Sequence, residues 1–103
     1  MILITGTVVV TPENRAAFLD AAKRQVTASR EEAGCISYHC GEDAFEPGRF
    51  TFVETWRDAE ALQSHFAKSY SVEFASIARR LAANSPVIEI HNVADVTTLT
   101  PGA

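Results

Sequence analysis

The sequence predicts an α+β fold in which helices cover one face of a four-stranded antiparallel sheet. Segments rich in β-branched residues alternate with segments of helical periodicity, and their order along the chain is βαββαβ. Turn or cap signals separate the segments, and the 103 residues contain no internal repeat. These observations indicate a single ferredoxin-like domain that spans residues 1–103.

The first strand and the first helix are marked by β-branched residues followed by a cap. Residues 2–10 are expected to form the strand. The Thr-Pro-Glu segment at residues 11–13 supplies an N-cap, a proline at the first helical position and an acid in the first turn. We expect the helix to run to about Glu32, and Gly34 to end it in the left-handed conformation.

The middle of the chain predicts two strands, at residues 36–41 and 49–57. The polar loop between them, residues 42–48, ends in a Pro-Gly turn. Cys35 and Cys40 lie in the first of these strands, where five residues at about 3.3 Å each place them roughly 16 Å apart. That distance is beyond disulfide reach, and the odd offset predicts that the two thiols point to opposite faces.

The last third predicts helical structure followed by one strand. Asp58 is a good N-cap for a helix of about two turns, and a second helix follows with apolar residues at offsets 4, 7 and 11 from Tyr70. Pro86 ends it, because proline pushes the preceding residue out of helical geometry. Residues 87–96 are expected to form the last strand, and residues 97–103 a mobile tail.

Apolar residues occupy both phases of the predicted strands. One phase contains Ile2, Ile4, Phe52, Ile88 and Ile90, and the other contains Leu3, Val9, Val53, Val87 and Val93. Because helices cover only one face, the second apolar face needs a partner, whose identity the periodicity leaves open.

The composition argues against nucleic acid and membrane partners. The net charge is −4 and the isoelectric point is near 5.2, whereas nucleic acid and anionic lipid select clustered Lys and Arg. The first apolar run, residues 2–10, is strand-length and is broken by Thr-Gly-Thr, so no membrane span is expected. No export signal is visible at the amino terminus, and we therefore expect a cytoplasmic protein.

The third predicted strand carries one charged residue among aromatic ones. Phe50, Phe52, Glu54 and Trp56 share one face of it. A buried carboxylate without a partner is costly. Glu54 therefore either pairs with an arginine at the sheet rim, turns to solvent, or lines a pocket and tunes it. Trp56 is either a core aromatic or a wall of that pocket.

His65 is the candidate base. It borders the apolar face of its short helix, three residues after Leu62 and one before Phe66. A histidine at such a position is either a packed residue or a general base, since a neutral imidazole can accept a proton. His39 and His91 lie among polar neighbours in strands, so we expect them at solvent or at an interface. No HxxxH pair occurs, and no metal site is expected.

Residues 34–66 carry a resemblance to a known family. They read Gly-Cys-Ile-Ser-Tyr-His-Cys, a turn, and then a strand that closes on Glu-Thr-Trp before the helix that carries His65. In this pattern, which extends over about residues 2–96, the chain resembles the antibiotic biosynthesis monooxygenase family, in particular its quinol-oxidising branch. The resemblance implies a homodimeric α+β barrel formed by two sheets. It also implies that O2 oxidises a small electron-rich aromatic, quinol-like or anthrone-like, with no metal or organic cofactor.

The same resemblance implies roles for the candidate residues. His65 would accept the phenolic proton. Trp56 and Phe52 would bind the ring, so that Trp56→Phe would mainly raise KM. Glu54 would orient His65 or a water molecule. The cavity would be completed by Tyr38, Tyr70 and Phe74.

Departures from other branches leave two alternatives. Haem-degrading relatives use a histidine on the later helix, and residues 67–84 contain none; the third strand also lacks the asparagine of polyketide-tailoring relatives. One alternative is an isomerase of a small hydroxyketone phosphate, for which only Lys68 supplies a cation close to His65 in sequence. The other is a non-catalytic dimeric module that binds a hydrophobic small molecule.

Overall fold

Residues 1–102, which the computed structural model describes, form four strands and three helices. In chain order these are β1 (Ile2–Val9), α1 (Pro12–Arg30), β2 (Cys35–Glu42), β3 (Arg49–Trp56), α2 (Ala59–Ala67), α3 (Ser69–Leu81) and β4 (Val87–Asn92). The strands form one antiparallel sheet in the order β2-β3-β1-β4. This confirms the predicted α+β, ferredoxin-like order. Within the described residues, no helix combines the length and the apolarity needed to cross a membrane.

Burial alternates along β1 because successive side chains of a strand point to opposite faces. Ile2, Ile4, Gly6 and Val8 are buried beneath the helices, whereas the residues that alternate with them are partly exposed. α1 places Phe18 over this face, where its side chain is fully buried and its ring centroid lies 4.9 Å from that of Phe50. The core therefore lies between the sheet and the helices, on the face to which β3 presents its aromatic residues and its carboxylate.

Gly34 does not end α1 in a left-handed conformation, so that prediction is wrong. Among the described residues, positive φ occurs only at Gly48 and Gly102, and the C-cap residue Glu31 is right-handed, with φ −81° and ψ −12°. A Cβ atom added at Gly34 would lie 2.4 Å from the Cβ of Ala61. Glycine is needed at this position because α2 approaches the chain closely, and not because of the backbone conformation.

Cys35 and Cys40 lie on the same face of β2, so the prediction of opposite faces is also wrong. A bulge between Cys35 and Ser37 shifts the register, and as a result Cys35 pairs with Trp56 and Cys40 with Phe52. Both thiols are free, and both are partly buried against the core.

β4 is shorter than predicted and ends at Asn92 instead of at residue 96. Its partner strand β1 begins at Ile2, which pairs with Asn92, and Val93 makes one last backbone hydrogen bond of 2.9 Å to the oxygen of Met1. The residues beyond Val93 have no part of β1 with which to pair. Residues 97–102 contain neither strand nor helix and are exposed. The last residue of the predicted tail, Ala103, lies outside the described residues, and the mobility of the tail stays a prediction.

The sheet face opposite the helices is open in the single chain. Val53 and Val87 lie on it and are 39% and 58% exposed. Ile88 and Ile90 are in phase with the helix-covered face, yet every residue of β4 is exposed. β4 therefore presents apolar side chains to solvent on both of its faces.

Candidate functional site

A cavity of about 640 Å³ lies between α3 and the β1–β4 side of the sheet. Its apolar wall includes Ile4, Val8, Phe52, Phe66, Phe74, Ala78 and Ile88. Its buried polar lining consists of Gln25, Tyr38, Glu54, His65 and Ser71. Exposed polar residues, among them Arg79, Asn84 and Ser85, lie at its mouth. An apolar cavity with a few convergent polar groups is the usual form of a small-molecule site.

His65 is held at this polar lining by the short helix α2. Asp58 caps that helix, since its carboxylate accepts a hydrogen bond of 2.8 Å from the backbone N–H of Ala61. One turn later the His65 side chain is buried, and its ring lies 4.4 Å from that of Trp56 with an interplanar angle of 35°. Its Nδ1 lies 2.7 Å from Oε2 of Glu32, at the end of α1. His65 is therefore a buried, hydrogen-bonded residue and not a rim residue.

Glu54 and Trp56 form a second polar pair beside His65. The indole Nε1–H of Trp56 donates a hydrogen bond of 2.9 Å to Oε1 of Glu54. Glu54 is only 7% exposed, and this burial raises the pKa of its carboxyl, while the hydrogen bond from the indole N–H and, when the ring is protonated, the charge of His65 oppose the rise. A carboxyl with a raised pKa that lines a cavity can hold or accept a proton there.

Tyr38 extends from β2 into the same group of side chains. Its ring centroid lies 5.8 Å from that of His65 and 6.4 Å from that of Trp56. Burial is the main cause, and the negative charge of Glu54 the second cause, of a pKa of Tyr38 far above its ordinary value. The phenol therefore stays protonated. The Tyr38 hydroxyl is therefore available as a hydrogen-bond donor at the cavity.

A polar stripe that was not predicted from the sequence faces these residues from α1 and the segment directly after it. Gln25 and Ser29 lie on α1 and are buried, and Glu32 lies two residues beyond its end with a side chain that is 12% exposed. Successive members of the stripe are four and three residues apart, about one turn. Gln25 Nε2 donates a hydrogen bond of 3.1 Å to Ser71 Oγ, which in turn lies 3.4 Å from His65 Nδ1. Polar residues at offsets 4 and 7 on the buried side of an otherwise amphipathic helix were the signal that could have found this stripe.

The candidate residues from the sequence fall into two groups. Those that line the cavity are Phe52, Glu54, His65, Tyr38 and Phe74. Trp56 and Tyr70 do not line it. Trp56 is fully buried behind His65, and Tyr70 donates a hydrogen bond to Glu32 on the other side of the imidazole. The carboxylate hydrogen-bonded to His65 is that of Glu32, whereas Glu54 is hydrogen-bonded to Trp56.

Glu54→Gln is expected to stabilise the fold at neutral pH, by on the order of 1 kcal/mol. A raised folded-state pKa means that Glu54 contributes stability below its ordinary value of 4.5, and that this contribution is lost as pH rises through the folded-state pKa. The gain from Glu54→Gln should therefore be greatest near pH 7, should shrink as the pH falls through the folded-state pKa, and should be absent below about 4.5. Urea unfolding at a series of pH values measures it, with the exposed Glu60→Gln as the control. A gain that is independent of pH would contradict this explanation.

Within residues 1–102, no three His, Cys, Asp or Glu side chains are placed to hold a metal ion together.

Comparison with known proteins gives consistent matches. The sequence matches the family described as antibiotic biosynthesis monooxygenase over residues 1–76. It is 36% identical over 98 residues to an uncharacterized protein of Synechocystis sp., covering 95% of this chain and 67% of that protein. It is 31% identical over 81 residues to YcnE of Bacillus subtilis, which is named provisionally as a monooxygenase, covering 79% of this chain and 85% of that one. The crystal structure of a Deinococcus radiodurans protein, provisionally given the same family name, superposes with a TM-score of 0.91 at 23% identity and covers 97% of this chain and 99% of that one. At that identity the superposition shows the fold alone.

Proposed function

Because the chain belongs to the antibiotic biosynthesis monooxygenase family, we propose that it oxidises a small quinol-like aromatic with O2, without a metal or organic cofactor. The observation that carries this proposal is the buried imidazole of His65, which lines an apolar cavity and is hydrogen-bonded at Nδ1 to a carboxylate. When Nδ1 carries the proton that it donates to Glu32, the lone pair on Nε2 is left to act as a general base. The tautomer is assigned from this hydrogen bond.

A general base is the group that this chemistry requires. Ground-state O2 reacts slowly with neutral closed-shell molecules, but a deprotonated dihydroxyarene is electron-rich enough to give O2 one electron. His65 takes the proton from the first hydroxyl. Tyr38, whose ring lies 5.8 Å from that of His65, and Glu54, which lines the same cavity, would provide hydrogen-bond partners for the oxygens of the substrate as the oxyanion develops in a largely dry site.

The proposed reaction balances without a further reductant. The aryl oxyanion reduces O2 by one electron, and the resulting pair combines at a ring carbon to form a C–O bond. The hydroperoxide then loses water: the O–O bond breaks, the ring C–H proton and one further proton leave with the distal oxygen, and a hydroxyquinone remains. One oxygen atom of O2 enters the product and the other forms water, so the four electrons needed come entirely from the substrate.

The apolar wall supports a flat ring as the substrate. Phe52 and Phe74 both line the cavity, and their ring centroids lie 5.7 Å apart at an interplanar angle of 61°. Two tilted aromatic faces favour an aromatic ligand through edge and face contacts. With Ile4 and Ile88 on the sheet side of the cavity, the ligand would be sandwiched between α3 and the sheet.

The decisive experiment is an oxygen-uptake assay with a panel of dihydroxyarenes and labelled O2. We expect uptake by protein that has been dialysed against a chelator and shows no absorbance above the protein band, and we expect one labelled oxygen atom in the quinone product. A His65→Ala sample is the background. The proposal fails if no quinol gives uptake above that background, if hydrogen peroxide forms in place of labelled product, or if activity needs a bound flavin, haem or metal.

We further propose that two copies of this single domain form a homodimer through the open sheet face. The hydrodynamic mass in dilute neutral buffer should then be about twice the chain mass of 11.2 kDa. Val53→Glu places a charge on the open face and should lower the mass to that of one chain. Val72→Glu, on α3 and 59% exposed, is the matched control and should leave the mass unchanged. A monomeric wild-type protein at micromolar concentration would contradict the proposed dimer.

The alternative functions have less support. An isomerase of a hydroxyketone phosphate needs cations or helix-terminus N–H groups beside His65. Lys68 lines a separate surface cleft, and Arg79 is exposed at the cavity mouth. A module that only binds a hydrophobic molecule would show ligand binding but no oxygen uptake, so the same assay separates it from the enzyme.

A further inference from the structure

We infer that Glu32 is a positioning residue for His65 and that it connects the buried imidazole to solvent through a second cleft, separate from the cavity that the substrate enters. This inference rests on the proposed function for the origin of the proton. The position of Glu32 between the two cavities is independent of that function.

The imidazole of His65 lies between two openings in the protein surface. One is the cavity of about 640 Å³, which His65 lines. The other is a more open cleft of about 710 Å³ between the end of α1 and the start of α2 and α3, lined by Glu32 and Tyr70 among others. The two share no lining residue. Glu32, which lies 33 positions before His65 in the sequence, is the side chain that contacts His65 and also reaches the second cleft.

Two contacts hold Glu32 in this position, and a third contact holds Tyr70. Its Oε2 lies 2.7 Å from His65 Nδ1 and accepts a hydrogen bond from the Tyr70 hydroxyl. The Glu32 side chain is 12% exposed, compared with 3% for His65, so the carboxylate and not the imidazole meets water. The Tyr70 hydroxyl also lies 3.4 Å from the backbone oxygen of Ala28, one turn earlier on α1. The carboxylate is therefore fixed at the point where the buried pair reaches the surface.

This arrangement has two chemical consequences. An ionised carboxylate only accepts hydrogen bonds, so it holds the neutral ring of His65 in the Nδ1–H tautomer with the Nε2 lone pair available. Once Nε2 has accepted the substrate proton, the negative charge of Glu32 stabilises the imidazolium. The Nδ1 proton can then pass to Glu32 Oε2 and on to water in the second cleft, as the Nδ1–H bond breaks and an O–H bond forms. When Nε2–H later gives its proton to the distal oxygen that leaves as water, a proton returns to Nδ1 by the same route and restores the starting tautomer. A substrate that fills the first cavity would not block this route.

The first test measures the tautomer of His65 and needs no substrate. Long-range proton–nitrogen NMR spectra of the neutral ring should show Nδ1–H in the wild type. In Glu32→Ala the ring should shift to the Nε2–H form that free histidine favours in water. Glu31→Ala, a neighbour that lines the same cleft without a hydrogen bond to His65, is the control. An Nε2–H ring in the wild type, or an unchanged tautomer in Glu32→Ala, would overturn the inference even if the protein proves to be a monooxygenase.

The second test uses turnover. Glu32→Gln preserves size and polarity but removes the charge, and kcat should fall by roughly 10–100-fold with little change in KM, because Glu32 does not line the substrate cavity. Glu32→Ala should be similarly impaired, and added formate should restore part of its activity by entering through the second cleft. Full activity in Glu32→Gln, or no rescue of a folded Glu32→Ala protein by formate, counts against the connection to solvent. If no variant and no wild-type sample turns over any quinol, the proposed function fails and the tautomer result still decides the role of Glu32.

Discussion

His65→Ala is expected to lower kcat for a quinol substrate by roughly 10²–10⁴-fold, the range typical of a positioned general base. The imidazole lines the cavity and is hydrogen-bonded to Glu32. Alanine therefore removes the proton acceptor and, with it, the hydrogen bond that connects the cavity to Glu32. Steady-state oxygen uptake at saturating substrate measures the effect. His39→Ala is the matched control, because His39 is exposed and does not line the cavity.

Stability has to be separated from chemistry in this variant. Because His65 is 3% exposed and stacked on Trp56, its removal leaves a void and a Glu32 oxygen with one donor fewer. We expect a loss of about 1–3 kcal/mol in the free energy of unfolding. A glutamine side chain fills more of the space than alanine but cannot act as a base near neutral pH. The His65→Gln protein should therefore be more stable than the His65→Ala protein, and its kcat should be equally low. A folded His65→Gln protein with wild-type kcat would exclude His65 as the base.

The fold could be predicted because local signals and the global arrangement agree. The β-branched residues of β1, the proline at the start of α1 and the Asp58 cap each predict an element that begins where it begins in the structure, although β1 ends at Val9 and α1 at Arg30, slightly earlier than predicted. The phase of β3 places Glu54 on the helix-covered face together with its aromatic neighbours, as the structure does. A strand phase, once established, determines which side chains share a face, and for this reason two of the cavity residues could be named in advance.

The errors arise where distant segments decide the outcome. Gly34 was interpreted as a helix end because glycine favours that position, but its requirement comes from contact with Ala61 on α2. A regular strand predicts that Cys35 and Cys40 lie on opposite faces. The bulge between Cys35 and Ser37 moves Cys35 to the face that carries Cys40. Glu32 has only a weak local mark, as the last residue of the polar stripe that begins at Gln25. Its role depends on the docking of the end of α1 against α2 and α3, which no spacing within a single segment reveals.

Trp56→Phe is the substitution whose expected effect the structure changes most. The family resemblance implies that Trp56 binds the substrate ring in the cavity wall, where a smaller ring would mainly raise KM. In the structure the indole is fully buried, does not line the cavity, and donates its N–H to Glu54 while stacking on His65. We therefore expect kcat to fall and KM to change little, since the substituted side chain touches two cavity residues but not the substrate.

The same substitution should lower the free energy of unfolding. It leaves a buried carboxylate oxygen without its hydrogen-bond donor, which costs about 1–3 kcal/mol. The smaller ring also buries less apolar area, and this adds to the loss. Loss of the N–H removes a contact that lowers the pKa of Glu54, so the folded-state pKa rises further. The charge-dependent part of the loss should therefore be present at neutral pH and should fade as the pH falls and Glu54 becomes protonated in both proteins. A double-mutant cycle tests this cause directly: Trp56→Phe should cost less in a Glu54→Gln background than in the wild type. Equal costs in the two backgrounds, or a loss that does not depend on pH, would assign the effect to packing alone and would leave Glu54 without the partner proposed for it.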